Sequence, residues 1–370
     1  MPCEVIIIKI STKTKYYSIK AAISVIAASL AVAFLYIWFV YSSLPFISYW
    51  RTIWIETAMT TGSHHWLATS FIPKDIIDEV MANSQEGENI VGGMEFLTPN
   101  EDKGTSGDIT VSSPVGDDIL GQAGIKVGEK DYAGYTVLVN DIEQGIVVSQ
   151  IVGSGYRGYA MLIDDPARVY LASTNSRGEK GQRILEYLSD NGAVAGINAS
   201  GFMDHAGQGT GGDVVGISCS SGEYWGEYVN YYGSVVFTRD NKLVVGNISI
   251  WDNYNIRDGI QFGPVLIADG KQNVEGSAGY GIQPRTAIGQ RADGAVMFLV
   301  IDGRDITWSV GCTVGDMAEI MMQYGVVNAA CCDGGSSSIM AYNGEVLNRN
   351  SSANPAYGRR MPNAFLVRPK

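Results

Sequence analysis

Four corners constrain this chain before any strand is counted: Asp240-Asn241, Asp269-Gly270, Asp293-Gly294 and Asn343-Gly344. Each adjoins short apolar runs rich in β-branched residues. Asn-Gly and Asp-Gly pairs favour the type I′ turn, whose twist matches that of two paired strands. The pattern predicts hairpins from Val235–Thr238 with Leu243–Val245, and from Thr286–Gly289 with Ala295–Ile301. Val265–Ala268 and Ile339–Tyr342 lead as strands into the other two corners. Tyr135–Val139, Gly145–Val152, Arg168–Ala172 and Ala193–Ile197 read as strands as well. The 45 glycines lie among β-branched and aromatic residues, which suits turn-rich β structure rather than disorder.

Two helices interrupt this texture. Gln182–Ser189 places Ile184, Leu185 and Leu188 on one face, and Gly192 supplies a left-handed C-terminal residue. Val314–Tyr324 has Thr313 as N-cap with Asp316 three residues on, and turns Val314, Met317, Met321 and Tyr324 inward. The predicted fold class for 135–370 is α+β, with mixed or antiparallel sheets and few helices.

The N-terminal third differs. Lys9, Lys13, Lys15 and Lys20 precede a stretch, Ala21 to Trp50, that carries no charge. Its first part, 21–41, matches the ~20 apolar residues needed to span a bilayer. Tyr36, Trp38, Tyr41, Tyr49 and Trp50 crowd its far end as an interfacial belt would. We therefore expect a cytoplasmic basic tail (1–20), one transmembrane helix (21–41) and an extracytoplasmic remainder on the cell membrane. The apolar run exceeds a signal peptide's usual core, and no clear A-x-A site follows it. Residues 42–134 read as a membrane-proximal acidic stalk, with helix-compatible patterns at Ile53–Met59 and Pro73–Met81 and a solvated spacer from Ser84 to Asp118.

Charge is uneven. Asp75 to Glu143 holds fifteen acids against three lysines, which equals the whole formal charge of -12. A nucleic-acid partner is excluded on this ground, because phosphate backbones require a basic footprint. Five cysteines show no CxxC spacing. Cys331 and Cys332 are neighbours in a strand and point to opposite faces. Buried thiols, or one disulfide among Cys219, Cys312 and the pair, both fit the spacing.

Several chemistries lack their residues. Of three histidines, His64 and His65 sit by Trp66 with no acid or thiol close by, and only His205 lies beyond residue 135. That is too few for a binuclear metal phosphodiesterase. No G-x-S-x-G elbow occurs. Two G-x-G-x-x-G matches, at Gly153 and Gly207, open no helix and fail as dinucleotide sites. No EF-hand pattern appears, so no metal site or cofactor is expected, although a single Ca²⁺ on loop carboxylates stays open. What remains is a set of Asn, Asp, Arg, Gly and Ser at strand ends. Asp-Gly also forms ordinary turns. The aromatics at 224, 225, 228, 231 and 232 serve equally as a sugar platform or as alternating strand residues.

Residues 284–304 read PRTAIGQRADGAVMFLVIDGR, followed by GCT before a helix, then CCDGGSSS at 331–338, with INASGF upstream at 197–202. In this order the motifs resemble the phosphodiester glycosidase family across roughly 135–368. The chain has NASGF and CCDGGSSS where that family commonly has NGGF and NLDGGGS. The resemblance implies a site at Asn198, Arg285, Asp302, Arg304, Asp333, Gly334 and Gly335. Such a reaction has an oxocarbenium-like transition state and calls for a carboxylate. Its phosphate leaving group calls for arginine forks and backbone N–H groups. The expected catalytic residues are Asp302, Asp333, Asp204 and Asn198. Those expected to hold substrate or phosphate are Arg285, Arg304, Gly334, Gly335, Ser336, Ser337 and His205. The expectation is a membrane-anchored hydrolase that cleaves a sugar from a sugar-1-phosphodiester in a surface glycan or exopolysaccharide. The alternatives are a non-catalytic phosphoglycan-binding module and a glycosyl-transferring enzyme of envelope assembly.

Overall fold

The computed structural model describes residues 12–62, 64–82, 90–99, 118–204, 208–249 and 251–370. Two compact units divide the chain, up to Trp54 and from Ile55 to Lys370. In the first, α1 (Thr12–Tyr41) contains the stretch Tyr16–Tyr41, long and apolar enough to cross a membrane. Its last carbonyls lack helical partners, as helix ends must. Arg51, the first charge after the apolar run, supplies them: its Nη1 donates to the carbonyls of Phe39, Val40 and Ser42 at 2.9–3.1 Å.

The second unit is built on three antiparallel sheets. The largest has the order β13 (Lys271–Gln272), β12 (Val265–Ala268), β16 (Val326–Cys332), β14 (Arg285–Arg291), β15 (Val296–Ile301), β4 (Arg157–Ile163), β3 (Ile146–Val152), β2 (Thr136–Asp141). A five-stranded sheet runs β18 (Glu345–Val346), β17 (Met340–Tyr342), β6 (Ala195–Asn198), β19 (Asn363–Val367), β5 (Val169–Ser173). A six-stranded sheet runs β1 (Val91–Gly92), β10 (Leu243–Gly246), β9 (Ser234–Thr238), β11 (Ile256–Gln261), β7 (Ser218–Ser220), β8 (Glu223–Trp225). Helices α2 (Pro45–Met59), α3 (Trp66–Thr69), α4 (Lys74–Ala82), α5 (Ile184–Asn191) and α6 (Val314–Gln323) complete the described helices. The expected α+β class with antiparallel sheets and few helices is the observed one.

Period-two alternation explains the layers. On β15, Val296, Phe298 and Val300 enter the central core shared with the other sheets, while Met297, Leu299 and Ile301 pack on the opposite side with α6. Cys332 joins the first core and Cys331 the second, so the vicinal pair does point to opposite faces. Cys219, Cys312, Cys331 and Cys332 are buried free thiols. Asp269-Gly270 and Asn343-Gly344 have positive φ at both residues, as a type I′ turn requires, whereas at Asp240-Asn241 and Asp293-Gly294 only the second residue does. Thr313 caps α6 reciprocally with Asp316, and Gly192 closes α5 at φ 59°.

Two features departed from the sequence reading. Strand β4 was hidden behind the glycines of Gly153-x-Gly155-x-x-Gly158. A Cβ on Gly158 would lie 2.2 Å from the Val300 carbonyl, so the glycine lets β4 approach β15. The stretch read as a solvated spacer also contributes to the body. Val91 and Gly92 pair with β10, and Phe96 and Leu97 pack on the cluster around Trp251. Few apolar residues are needed to complete a sheet edge, and the acidic, glycine-rich context conceals them.

Candidate functional site

Sheet register alone gathers the chemistry. β14 is antiparallel to both neighbours, so its start faces the ends of β15 and β16: Arg285 pairs with Ile301, and Thr286 with Cys332. Asp302-Gly303-Arg304 and Asp333-Gly334-Gly335 therefore leave the sheet at one edge. Asn198, at the end of β6, fastens the second corner. Its Nδ2 donates to the Asp333 carbonyl at 2.6 Å, and its Oδ1 accepts from Thr286 Oγ1 and Ile339 N. Asn198 is 1% exposed, so it holds the corner in shape rather than meeting a ligand.

A cleft of about 490 Å³ opens over this edge. Its floor is Cys331 to Ser337 with Pro284 and Arg285. Phe202 and Asp204 from the segment after β6, Tyr232, Phe262 and Tyr280 form walls, Thr60–Gly62 after α2 forms another, and Gln283, Arg304 and Arg359 complete the lining. A larger groove of about 700 Å³ runs along β5, but it is more open and holds none of the residues predicted for the site.

The cleft's electrostatics centre on Asp333. Burial pushes its carboxyl up to about 6, against the opposing pull of the Ser337 hydrogen bond and the Arg359 charge. Arg359 Nη1 pairs with Asp204 Oδ2 at 2.7 Å and reaches Ser336 Oγ at 3.3 Å. Its guanidinium lies 4.7 Å from the Phe202 ring centroid. Its Nη2 is buried with no partner among the described residues. Asp204 Oδ1 accepts from Gly209 N at 2.8 Å. Arg304 is open to solvent along one side, yet the protein around it and the nearby Arg359 lower its pKa, with Asp333 opposing. Gly335, at φ 61°, holds a left-handed conformation, and a Cβ there would come within 3.0 Å of Arg304 Nη2.

Thus Asp333, Asp204, Arg304, Gly334, Gly335, Ser336 and Ser337 share the cleft as expected. Asp302 does not line it. Its Oδ2 accepts from Trp308 Nε1 at 2.8 Å and its Oδ1 from Asn348 Nδ2 at 2.9 Å, and it is 2% exposed. Burial raises its pKa, and those two hydrogen bonds act in the other direction. Both oxygens are committed to holding neighbouring loops, which corrects its expected catalytic role. Arg285 touches the cleft, but Nε donates to the Cys312 carbonyl and Nη2 to those of Tyr280 and Gly281. It braces a loop more than it offers a fork for phosphate. His205 lies outside the described residues. Of the aromatic run from 224 to 232, Tyr232 alone lines the cleft, stacked on Phe262 with centroids 5.0 Å apart. Arg359, Gln283 and Thr60–Gly62 were not anticipated; a pair of arginines before the last strand was the one available signal. Among the described residues no group of three or more His, Cys, Asp or Glu could hold a metal.

Residues 191–368 match the sequence model of the phosphodiester glycosidase family. The chain is 30% identical over 200 residues to the SPbeta prophage-derived uncharacterized protein YomE of Bacillus subtilis, covering 50% of this chain and 29% of that protein. It thus spans under a third of that relative's length. Among solved structures, the zebrafish N-acetylglucosamine-1-phosphodiester alpha-N-acetylglucosaminidase catalytic domain, auto-inhibited by its pro-peptide, aligns with a TM-score of 0.49. Identity is 18%, over 61% of this chain and 82% of that one. A hypothetical protein from Synechocystis aligns with a TM-score of 0.48 and 16% identity, over 63% of this chain and 64% of that one.

Proposed function

We propose, from the phosphodiester glycosidase match over residues 191–368, that this chain is a hydrolase that releases a sugar from a sugar-1-phosphodiester. The family match supports a glycosidase-type activity. The finer reading rests on one observation: Asp333 shares a cleft with the guanidinium groups of Arg304 and Arg359 and with the stacked rings of Tyr232 and Phe262. The rings offer a flat apolar face to a sugar. Arg304 and Arg359 hold the phosphate. The Gly335 N–H is taken by the Pro284 carbonyl and the Gly334 N–H by Asp333, so this turn shapes the floor. Cleavage breaks the C1–O bond, and its electron pair stays on the phosphate oxygen, a stable anion that needs no strong acid. Water attacks C1 and gives its proton to the Asp333 carboxylate. A base with pKa about 6 is ionised at neutral pH and basic enough for that transfer. Asp204, paired to Arg359, keeps that cation beside the phosphate.

We further propose that α1 anchors the chain in the cell membrane, with its lysine-bearing N-terminus cytoplasmic and the cleft extracytoplasmic, facing a surface glycan or exopolysaccharide.

The test uses the detergent-solubilised full chain with an N-acetylglucosamine-1-phosphodiester, among other sugars, in ¹⁸O water. Label in the released sugar is expected. Label in the phosphate means P–O cleavage and sinks this mechanism. Absence of release from the whole panel, with phosphate binding retained, leaves a phosphoglycan-binding module.

A further inference from the structure

The side of the cleft that carries Arg304 is held by a helix end far upstream in sequence. Thr57 lies in the last turn of α2. Its Oγ1 accepts from Ile282 N at 3.0 Å, and its carbonyl accepts from Gln283 Nε2 at 2.9 Å across 226 residues of sequence. Thr60 Oγ1, which donates to the Glu56 carbonyl at 2.7 Å, adds a longer contact by accepting from Gln283 Nε2 at 3.4 Å. The fit is close. Gly281 has φ 61°, and a Cβ there would stand 2.4 Å from Thr57 N.

These bonds settle which way the Gln283 amide points. Its NH₂ group must face the Thr57 carbonyl, which cannot donate, so its oxygen must face the other way. That oxygen accepts from Arg304 Nη2 at 3.0 Å. Among the described residues, Gln283 is the side chain to which Arg304 donates. Arginine is long and loses much rotamer freedom when fixed. A guanidinium held before the ligand arrives loses less on binding, and this preorganisation appears as affinity.

We propose that Gln283 is a positioning residue for Arg304, and that Thr57 on α2 fixes Gln283, so that the end of α2 sets the anion-holding side of the cleft. This rests on reading the cleft as a phosphodiester site. The phosphate is already charged in the ground state and gains charge as the C1–O bond breaks, so loss of the relay raises KM and also lowers kcat. It also acts on phosphate and not on the uncharged sugar.

The experiment compares full-length wild type with Gln283→Leu, Thr57→Val and Thr57→Ser. Turnover of the N-acetylglucosamine-1-phosphodiester is measured alongside calorimetric affinities for inorganic phosphate and for free N-acetylglucosamine. Gln283→Leu should raise KM and the phosphate Kd about five- to tenfold, the worth of one ordinary hydrogen bond. Thr57→Val keeps the backbone carbonyl that holds Gln283 and removes only the acceptor of Ile282 N, so its rise should be smaller, about two- to threefold. Sugar affinity should stay within about twofold of wild type, while kcat falls by a few-fold because the phosphate gains charge as the bond breaks. Thr57→Ser, which keeps the hydroxyl, should restore wild-type values. Unchanged phosphate affinity in both variants overturns the relay. So does a parallel fall in phosphate and sugar affinity, which would indicate general loss of structure. A wild-type chain that neither turns over nor binds phosphate removes the phosphodiester reading and the relay with it. Turnover and phosphate binding in a wild type from which the variants are indistinguishable remove the relay alone.

Discussion

Asp302 and Asp333 begin the same way: each is the acidic residue of an Asp-Gly corner at the end of a strand of one sheet, on the same edge. They end in different chemistry. Asp302 turns behind the cleft and gives both oxygens to donors from Trp308 and Asn348. Asp333 turns into the cleft, beside Arg359 and under Arg304. Burial raises the pKa of both, so a shifted carboxyl is no mark of catalysis by itself. Both carboxylates accept from the protein's own donors, Asp333 from Ser337 and Gly334; the difference is that Asp333 also borders the open cleft and Asp302 does not.

The sharpest way to break this comparison is to make the same change at both corners. Asp333→Asn removes the base, and kcat should fall by about 10²–10⁴-fold with little change in KM. Asp302→Asn should leave measurable turnover. If the two variants lose activity equally while both remain folded, the corners are not distinct and Asp302 returns to the reaction.

The second effect is on stability and runs the opposite way round. An asparagine at 302 presents an NH₂ group to Trp308 Nε1 or to Asn348 Nδ2, so one buried acceptor becomes a donor facing a donor. Asp302→Asn should cost about 2 kcal/mol in denaturant unfolding, the penalty of an unmade buried hydrogen bond. A midpoint equal to wild type would show that Asp302 does not hold the loops at 302–309 and 348.

This contrast also shows what could be read from the sequence. The hairpins were legible because alternation and corner residues are local signals, and so was the capped helix α6. Asp333, Gly334 and Arg304 were recognisable by their motifs. Asp302 and Arg285 belong to motifs that look the same whether the side chain meets a ligand or a carbonyl. Only the folded neighbours, Trp308 and Asn348 for one and the Tyr280 loop for the other, decide between these. Arg359 and Thr57 were missed for another reason. Arg359 carries only the weak signal of an arginine pair, and Thr57 acts on the cleft through Gln283 across 226 residues of sequence.

The smallest expected effect is a pH dependence that belongs to Asp333. Its folded pKa, about 6, stands above the usual carboxylate value of 3.8. A raised carboxyl binds its proton more tightly in the folded chain than in the unfolded one, so folding gains stability as pH falls toward 6 and below. The gain is complete only below the unfolded value, and ionisation withdraws it as pH rises through the folded one. Between pH 7 and 5 the contribution of Asp333 is about 1 kcal/mol in favour of the folded state at pH 5. Activity moves the other way, because the base must be ionised: kcat should fall as pH drops through about 6. The readout is a difference between two chains, which isolates the one carboxyl that is changed. The slope of unfolding free energy against pH in wild type, minus that in Asp333→Asn, should be negative from pH 5 to 7. Equal slopes would place the Asp333 carboxyl in an ordinary solvated setting, and the distinction drawn here between the two corners would then rest on geometry alone.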